Sequence, residues 1–443
     1  MNSSLLRALF FVGIFAFCAT RAPAQTFPAA SVTASALPNG LRLVVKRSPG
    51  DALTAIQLWV RSGSRNETAS NNGVAHLLEH YLFQGKPGDS ADPFDHQIEG
   101  LGGTLNAETS RDDTHYYVTV PGESFLPALR LLAQMIQHPS FNALQLDIEH
   151  RRAADEVEQR TDDAAFAAQQ ALFALAYKKS PYRLPIAGTP DTIMKLTLDQ
   201  VRAFYNTNYR PDNATLVIVG DVTLDQVKTA AAAAWGGWAK PAAPIPPVVQ
   251  EPNRDHSPPA RLIALRAPTP QGLIAVGYPA PAAQSERDAV TMDVIYTLLT
   301  SGQRSLLSEQ LSKPGLLSGL GSDFLTSRDP GLFVIWGYAP VGKIKAVRQK
   351  IEDVVGEIAA GTFSDAALAR ARQSLVGSYN LENETTSDQA TDLGFYDSIV
   401  GYEYAIKYDS VAQSITRADL MRVAHRYFRT VYTVVLAPAG TPI

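Results

Sequence analysis

Two segments 219 residues apart follow one plan, and that repetition restricts the chain to a fold built twice. "LTLDQVRAFYNTNYRPDNATLVIVGDV" (196–222) and "ITRADLMRVAHRYFRTVYTVVLAPAG" (415–440) each set a threonine, Thr197 or Thr416, ahead of an amphipathic helical pattern. An aromatic pair follows, then a β-branched run that reads as a strand. The same shift lays "TAIQLWVRSG" over "LIAVGYPAPA". Between the copies, "WGGWAKPAAPIPPVVQEPNRDHSPP" (235–259) is dense in proline and has neither helical nor alternating periodicity, which marks a linker. At 443 residues the chain exceeds one ordinary core, and this linker leaves two parts of roughly 200 residues that each suit a domain.

Strand patterns at 41–46, 54–61, 115–120 and 214–219 alternate with helical stretches such as 125–137 and 143–177. The expected fold class is α+β: two homologous α/β-layer domains, each a mostly antiparallel sheet packed with helices. The expected boundaries are 25–235 for the first domain, 236–259 for the linker and 260–443 for the second.

Residues 1–24 read as a secretory signal peptide. "MNSSLLR" is positively charged, "ALFFVGIFAFCAT" is apolar over 13 residues, and small residues precede a cleavage point after Ala24. A membrane anchor needs about 18–20 apolar residues, so the stretch is too short to span. The approach to Cys18 is Phe15, Ala16, Phe17, not the small residues of a lipidated cysteine. Cys18 is the only cysteine, so the mature chain is expected to lack disulfides, thiolate ligands and a cysteine nucleophile. Hydrophobic residues at 45% and charged residues at 19% suit a globular protein. A formal net charge of −4 without a basic block favours neither nucleic acid nor an anionic membrane surface.

"GVAHLLEHYLFQG" (73–85) places three polar groups inside an apolar helical run. His76 and His80 are four apart, one turn along the same helix face, with Glu79 beside them. Two imidazoles aimed at one point suit Zn²⁺ where no thiolate is present, and Leu77, Leu78, Leu82 and Phe83 supply dry surroundings. A catalytic zinc needs a third protein ligand and an open position. Glu79 is a poor third ligand if it serves as the base. The carboxylate cluster "DIEHRRAADEVEQRTDD" (147–163) offers Glu149, Glu156 and Glu158, and spacing alone does not choose among them.

H-x-x-E-H is the inverted zinc motif. Its setting, "NNGVAHLLEHYLFQGKPG", closely resembles the pitrilysin family, which includes insulin-degrading enzyme and the mitochondrial processing peptidase. The likeness extends over nearly the whole mature chain through "LGGTLNAETSRDDTHYYVTVP", "SPYRLPIAGTPDTI" and "YRPDNATLVIVGDV". In that family a glutamate about 76 residues past the second histidine is the third ligand, and another glutamate lies seven residues before it. Glu156 stands 76 beyond His80. The resemblance therefore implies Zn²⁺ held by His76, His80 and Glu156, with Glu149 orienting a ligand and Glu79 as general base and then acid. It also implies that Asn106 and Ala107 lie beside a peptide bound in extended form against an edge strand, inside a chamber of which this chain forms half.

The second half departs from the first. Shifting the ligands by 219 reaches Ile295, Leu298, Leu299 and Leu375, and no histidine lies between His256 and His425. Active members carry an Arg and a Tyr, seven residues apart, in their C-terminal half. Here "EQLSKPGLLSGLGS" (309–322) puts Leu311 or Ser312 at the Arg and Ser318 at the Tyr. Similar proteins with zinc but no such pair occur as heterodimers, which implies a partner subunit of the same family carrying the pair. The expected function is a secreted or periplasmic zinc metalloendopeptidase. A structural subunit of this fold typically loses parts of H-x-x-E-H, whereas a zinc-dependent peptide-binding subunit would keep the ligands without needing a base at Glu79.

Overall fold

The computed structural model describes residues 31–84, 93–161, 163–251, 260–266 and 271–438. The signal-peptide expectation and Cys18 fall outside the described residues. Among the described residues, no helix is long and apolar enough to cross a membrane.

The first half supplies strands β1 (Val32–Ala36), β2 (Arg42–Arg47), β3 (Leu53–Val60), β4 (Thr104–Thr109), β5 (Thr114–Pro121) and β6 (Ala214–Gly220). They lie in the order β1-β2-β6-β3-β5-β4, antiparallel except for the pair β2 and β6. The second half supplies β7 (Ala260–Arg266), β8 (Gly272–Pro279), β9 (Ser318–Asp323), β10 (Leu332–Ala339) and β11 (Val431–Ala437). Their order is β7-β11-β8-β10-β9, again with one parallel pair, β7 and β11. Strand for strand, this is the first sheet without β1. The repeat read in the sequence is thus a repeat of topology.

Helices of the first half are α1 (Val74–Leu82), α2 (Phe94–Glu99), α3 (Phe125–Gln137), α4 (Ala143–Thr161), α5 (Ala164–Ala176), α6 (Pro190–Ile193), α7 (Leu198–Asn208) and α8 (Leu224–Trp235). Those of the second are α9 (Glu286–Thr300), α10 (Ile344–Ala360), α11 (Asp365–Leu381), α12 (Thr386–Ile399), α13 (Glu403–Ser414) and α14 (Arg417–Tyr427). The two threonines that revealed the repeat are N-caps. Thr197 accepts from the Gln200 N–H at 3.2 Å and Thr416 from the Asp419 N–H at 3.3 Å, each with a reciprocal capping-box bond.

The helical stretch expected over 143–177 is two helices. It contains no proline or glycine to announce a break, yet Asp163 caps a new helix by accepting from the N–H groups of Ala165 and Phe166 at 2.7 and 3.3 Å. The reason is tertiary. Leu146, Ala153 and Val157 of α4 pack into the first half's core beside α1. Ala165, Ala168 and Leu172 of α5 instead cover Leu273, Ala275, Val434 and Leu436 of the second sheet.

The exchange is reciprocal. Both β6 and β11 are buried at all seven positions, so each sheet needs cover on both faces. Ala390 and Leu393 of α12 share a core with Ala55, Trp59, Val217 and Val219 on the first sheet. The Gln57 amide donates to the Ser387 carbonyl at 3.0 Å and the Thr391 hydroxyl at 2.9 Å. The Asp397 carboxylate, 1% exposed, receives Arg42, Arg61 and Thr215 at 2.8–3.2 Å. Gly394 makes this contact possible, because a Cβ there would stand 2.0 Å from the Trp59 indole nitrogen. Gly394→Ala should therefore destabilise the chain by about 1–3 kcal/mol through overpacking, measured by denaturant unfolding.

The described part of the Pro-rich segment, 236–251, forms neither helix nor strand but is tied down. Trp238 is buried in the first core. Arg210 donates to the Pro241 and Ala243 carbonyls at 2.9 and 2.5 Å. The Glu251 carboxylate accepts from three successive N–H groups, Lys178 to Ser180, at 2.8–3.1 Å.

Candidate metal centre and cleft

Helix α1 begins at Gly73, whose φ is +96° and where a Cβ would stand 2.9 Å from the Ala187 carbonyl oxygen. Torsion and space both require glycine. Val74, Ala75, Leu77, Leu78, Tyr81 and Leu82 are buried in the first core. The remaining face holds His76, Glu79 and His80, which with Glu149 and Glu156 of α4 line one cleft of about 630 Å³.

His76 Nε2 and His80 Nε2 are 3.2 Å apart, His80 Nε2 and Glu156 Oε2 3.2 Å, and His76 Nε2 and Glu156 Oε2 3.6 Å. Ligands about 2.0–2.1 Å from a tetrahedral zinc stand roughly 3.3 Å from one another, so these three atoms suit that ion. They form the one His, Cys, Asp or Glu group among the described residues arranged to hold a metal. The paired imidazoles hold the Glu156 carboxyl well below the usual carboxylate range. Burial works against protonation of His80, but the facing Glu156, Glu79 and Glu149 outweigh it and raise its pKa.

Glu149 takes no place in the triangle. Its buried carboxylate presents Oε2 to the far nitrogen of His80, Nδ1, at 3.8 Å, while Oε1 accepts from Gln145 at 2.6 Å and Arg152 at 3.0 Å. That position suits a group that orients an imidazole. Glu158 is exposed and lies outside the metal group. Glu79 is buried beside the triangle, and burial raises its pKa against the opposing charge of His76 and the Thr109 hydrogen bond.

Asn106 and Ala107 lie on β4, the outermost strand of the first sheet, and line the same cleft. On its inner side β4 pairs with β5, Asn106 opposite Tyr117 and Ala107 opposite Tyr116. Its outer edge has no neighbouring strand among the described residues, which leaves backbone groups for an added strand.

Sequence reasoning missed three side chains here. Thr109 of β4 donates to Glu79 Oε2 at 2.5 Å, a contact across 30 residues with no local signal. Arg152 and Arg160 pair with Glu149 at 3.0 Å and Glu156 at 3.2 Å, and their i,i+3 and i,i+4 spacings on α4 were legible. Thr109→Val should keep the metal and lower turnover about 10- to 100-fold, since a hydrogen bond to a charged group contributes about 1.5–3 kcal/mol; steady-state kinetics with elemental analysis checks this.

In the second half, Ile295, Leu298 and Leu299 are buried in an apolar core. Leu311 is fully buried, Ser312 ends a single π-helical turn, and Ser318 opens the edge strand β9. None of them presents a guanidinium or phenol.

Two histidines and a distal glutamate converging beneath an open strand edge define a zinc-peptidase type of site, on a fold made of two like halves. Two sequence profiles cover that fold: "Insulinase (Peptidase family M16)" matches residues 42–190 and "Peptidase M16 inactive domain" matches 195–375. The chain belongs to the M16, pitrilysin-type, peptidase family, whose members depend on zinc. It is 28% identical over 411 residues to the zinc protease PqqE of Helicobacter pylori, covering 91% of this chain and 92% of that one. It is 27% identical over 399 residues to an uncharacterized zinc protease of Streptomyces coelicolor, covering 89% and 86%. A crystal structure of a protease from Helicobacter pylori superposes with a TM-score of 0.86 at 26% identity, covering 92% of this chain and 99% of that one.

Proposed function

We propose that this chain is a secreted or periplasmic zinc endopeptidase and the zinc-bearing subunit of a heterodimer. The observation that carries the reading is the triangle of His76, His80 and Glu156 with Glu79 beside it, under the free edge of β4. His76, His80 and Glu156 would hold the ion, and Glu149 would keep the His80 ring aimed. Bound zinc supplies a Lewis acid that polarises a scissile carbonyl and acidifies water. Glu79 takes the attacking water's proton and delivers it to the leaving amine. The β4 edge, at Asn106 and Ala107, holds the substrate backbone extended and in register. Export rests on residues 1–24, which carry a charged start, an apolar stretch and small residues before the cleavage point.

The partner follows from what the second half lacks. With Leu311 buried and serines at the other two positions, the backbone of a bound peptide is gripped on the zinc side alone, and loose positioning costs rate. The purified single chain should bind zinc yet cleave a fluorogenic peptide poorly. A second family chain carrying the Arg/Tyr pair should restore cleavage on mixing, with a 1:1 complex in size-exclusion chromatography. Efficient hydrolysis by a homodimer would refute the heterodimer. The same missing pair favours a second reading, a zinc-dependent peptide-binding subunit. That reading requires tight peptide binding with no cleavage in either state.

A further inference from the structure

We infer that Glu67 is a positioning residue for the metal-bearing helix: its carboxylate caps α1 from outside and thereby fixes where His76, Glu79 and His80 stand. The inference rests on the zinc reading of that helix.

Gly73 occupies the N-cap of α1 and has no side chain to cap with, and the first turn contains no acidic residue. The exposed N–H groups of a helix start need acceptors, and the positive end of the helix favours an anion. Glu67, six residues upstream and 3% exposed, meets both needs. Its Oε2 accepts from the Gly73 N–H at 2.8 Å and its Oε1 from the Ala75 N–H at 2.8 Å, one residue before the first histidine.

The same Oε2 accepts from the Asn72 amide at 2.7 Å, and that amide also donates to the Pro185 carbonyl at 2.8 Å. Two further residues of that loop, Ile186 and Ala187, line the metal cleft. One carboxylate thus joins the start of α1 to a wall of the cleft. Burial pushes the Glu67 pKa up to about 8 while the three donors pull it down, and at each of these contacts a carboxylate oxygen can accept where a side-chain NH₂ cannot. With glutamine, one NH₂ would face backbone N–H groups. The helix start would then shift or rotate, and ligand geometry tolerates only a few tenths of an ångström.

The test is zinc affinity of the full-length apo chain, by competition with a chromophoric chelator, alongside its thermal melt without metal. Glu67→Gln should weaken zinc binding about 10- to 100-fold, as loss of a group supporting metal ligands typically does. Glu67→Asp keeps the charge but shortens the reach; it serves if the amide variant does not fold, and it should weaken zinc binding to a lesser degree. Unchanged zinc affinity in a folded variant, with only the melt lowered, overturns the inference and makes Glu67 an ordinary structural cap. Wild-type chain without zinc affinity overturns the metal reading as well, so the two failures are told apart.

Discussion

Glu79→Gln should retain one zinc per chain and lose peptide hydrolysis about 10²- to 10⁴-fold, the usual contribution of a positioned general base. The two outcomes separate because Glu79 stands beside the ligand triangle without belonging to it. Its Oε2 is committed to the Thr109 hydroxyl at 2.5 Å, which fixes the carboxylate's direction. Burial raises its pKa, which brings a proton acceptor closer to working pH. The amide keeps the shape and loses the basicity. Elemental analysis and a peptide assay, on the chain alone and with the proposed partner subunit added, give both readouts. Wild-type cleavage by the amide variant would remove Glu79 from the mechanism.

The second large effect concerns the metal. His76→Ala, His80→Ala and Glu156→Gln should each abolish stoichiometric zinc, because three ligands become two. Among the described residues, no other His, Cys, Asp or Glu joins Glu156 and the two histidines in the metal group. Glu149 is the closest in chemistry, but Oε1 is held by Gln145 and Arg152, and Oε2 faces the His80 nitrogen that points away from the triangle. Full zinc content in Glu156→Gln, measured by elemental analysis, would move the third ligand to Glu149 or Glu158.

The family, its fold and the metal it uses were legible from the sequence because they are written in short-range patterns. A separation of four from His76 to His80 fixes a shared helix face before any tertiary contact forms. Thr197 and Thr416 announce equivalent helix starts because a capping box closes within three residues. Choosing Glu156 over Glu149 and Glu158 needed the family resemblance, since all three lie on one helical pattern and local spacing weighs them alike.

What only the tertiary structure decided are the contacts between residues distant in sequence. Thr109 reaches Glu79 because β4 lies alongside α1, and Glu67 reaches the start of α1 because the intervening loop folds back. The break before Asp163 and the exchange of α5 and α12 between the halves belong here too. Each sheet has two apolar faces, and one half's helices cannot cover both, so the other half must lend one. Periodicity records that a face is apolar. Which element covers it depends on how the whole chain excludes water.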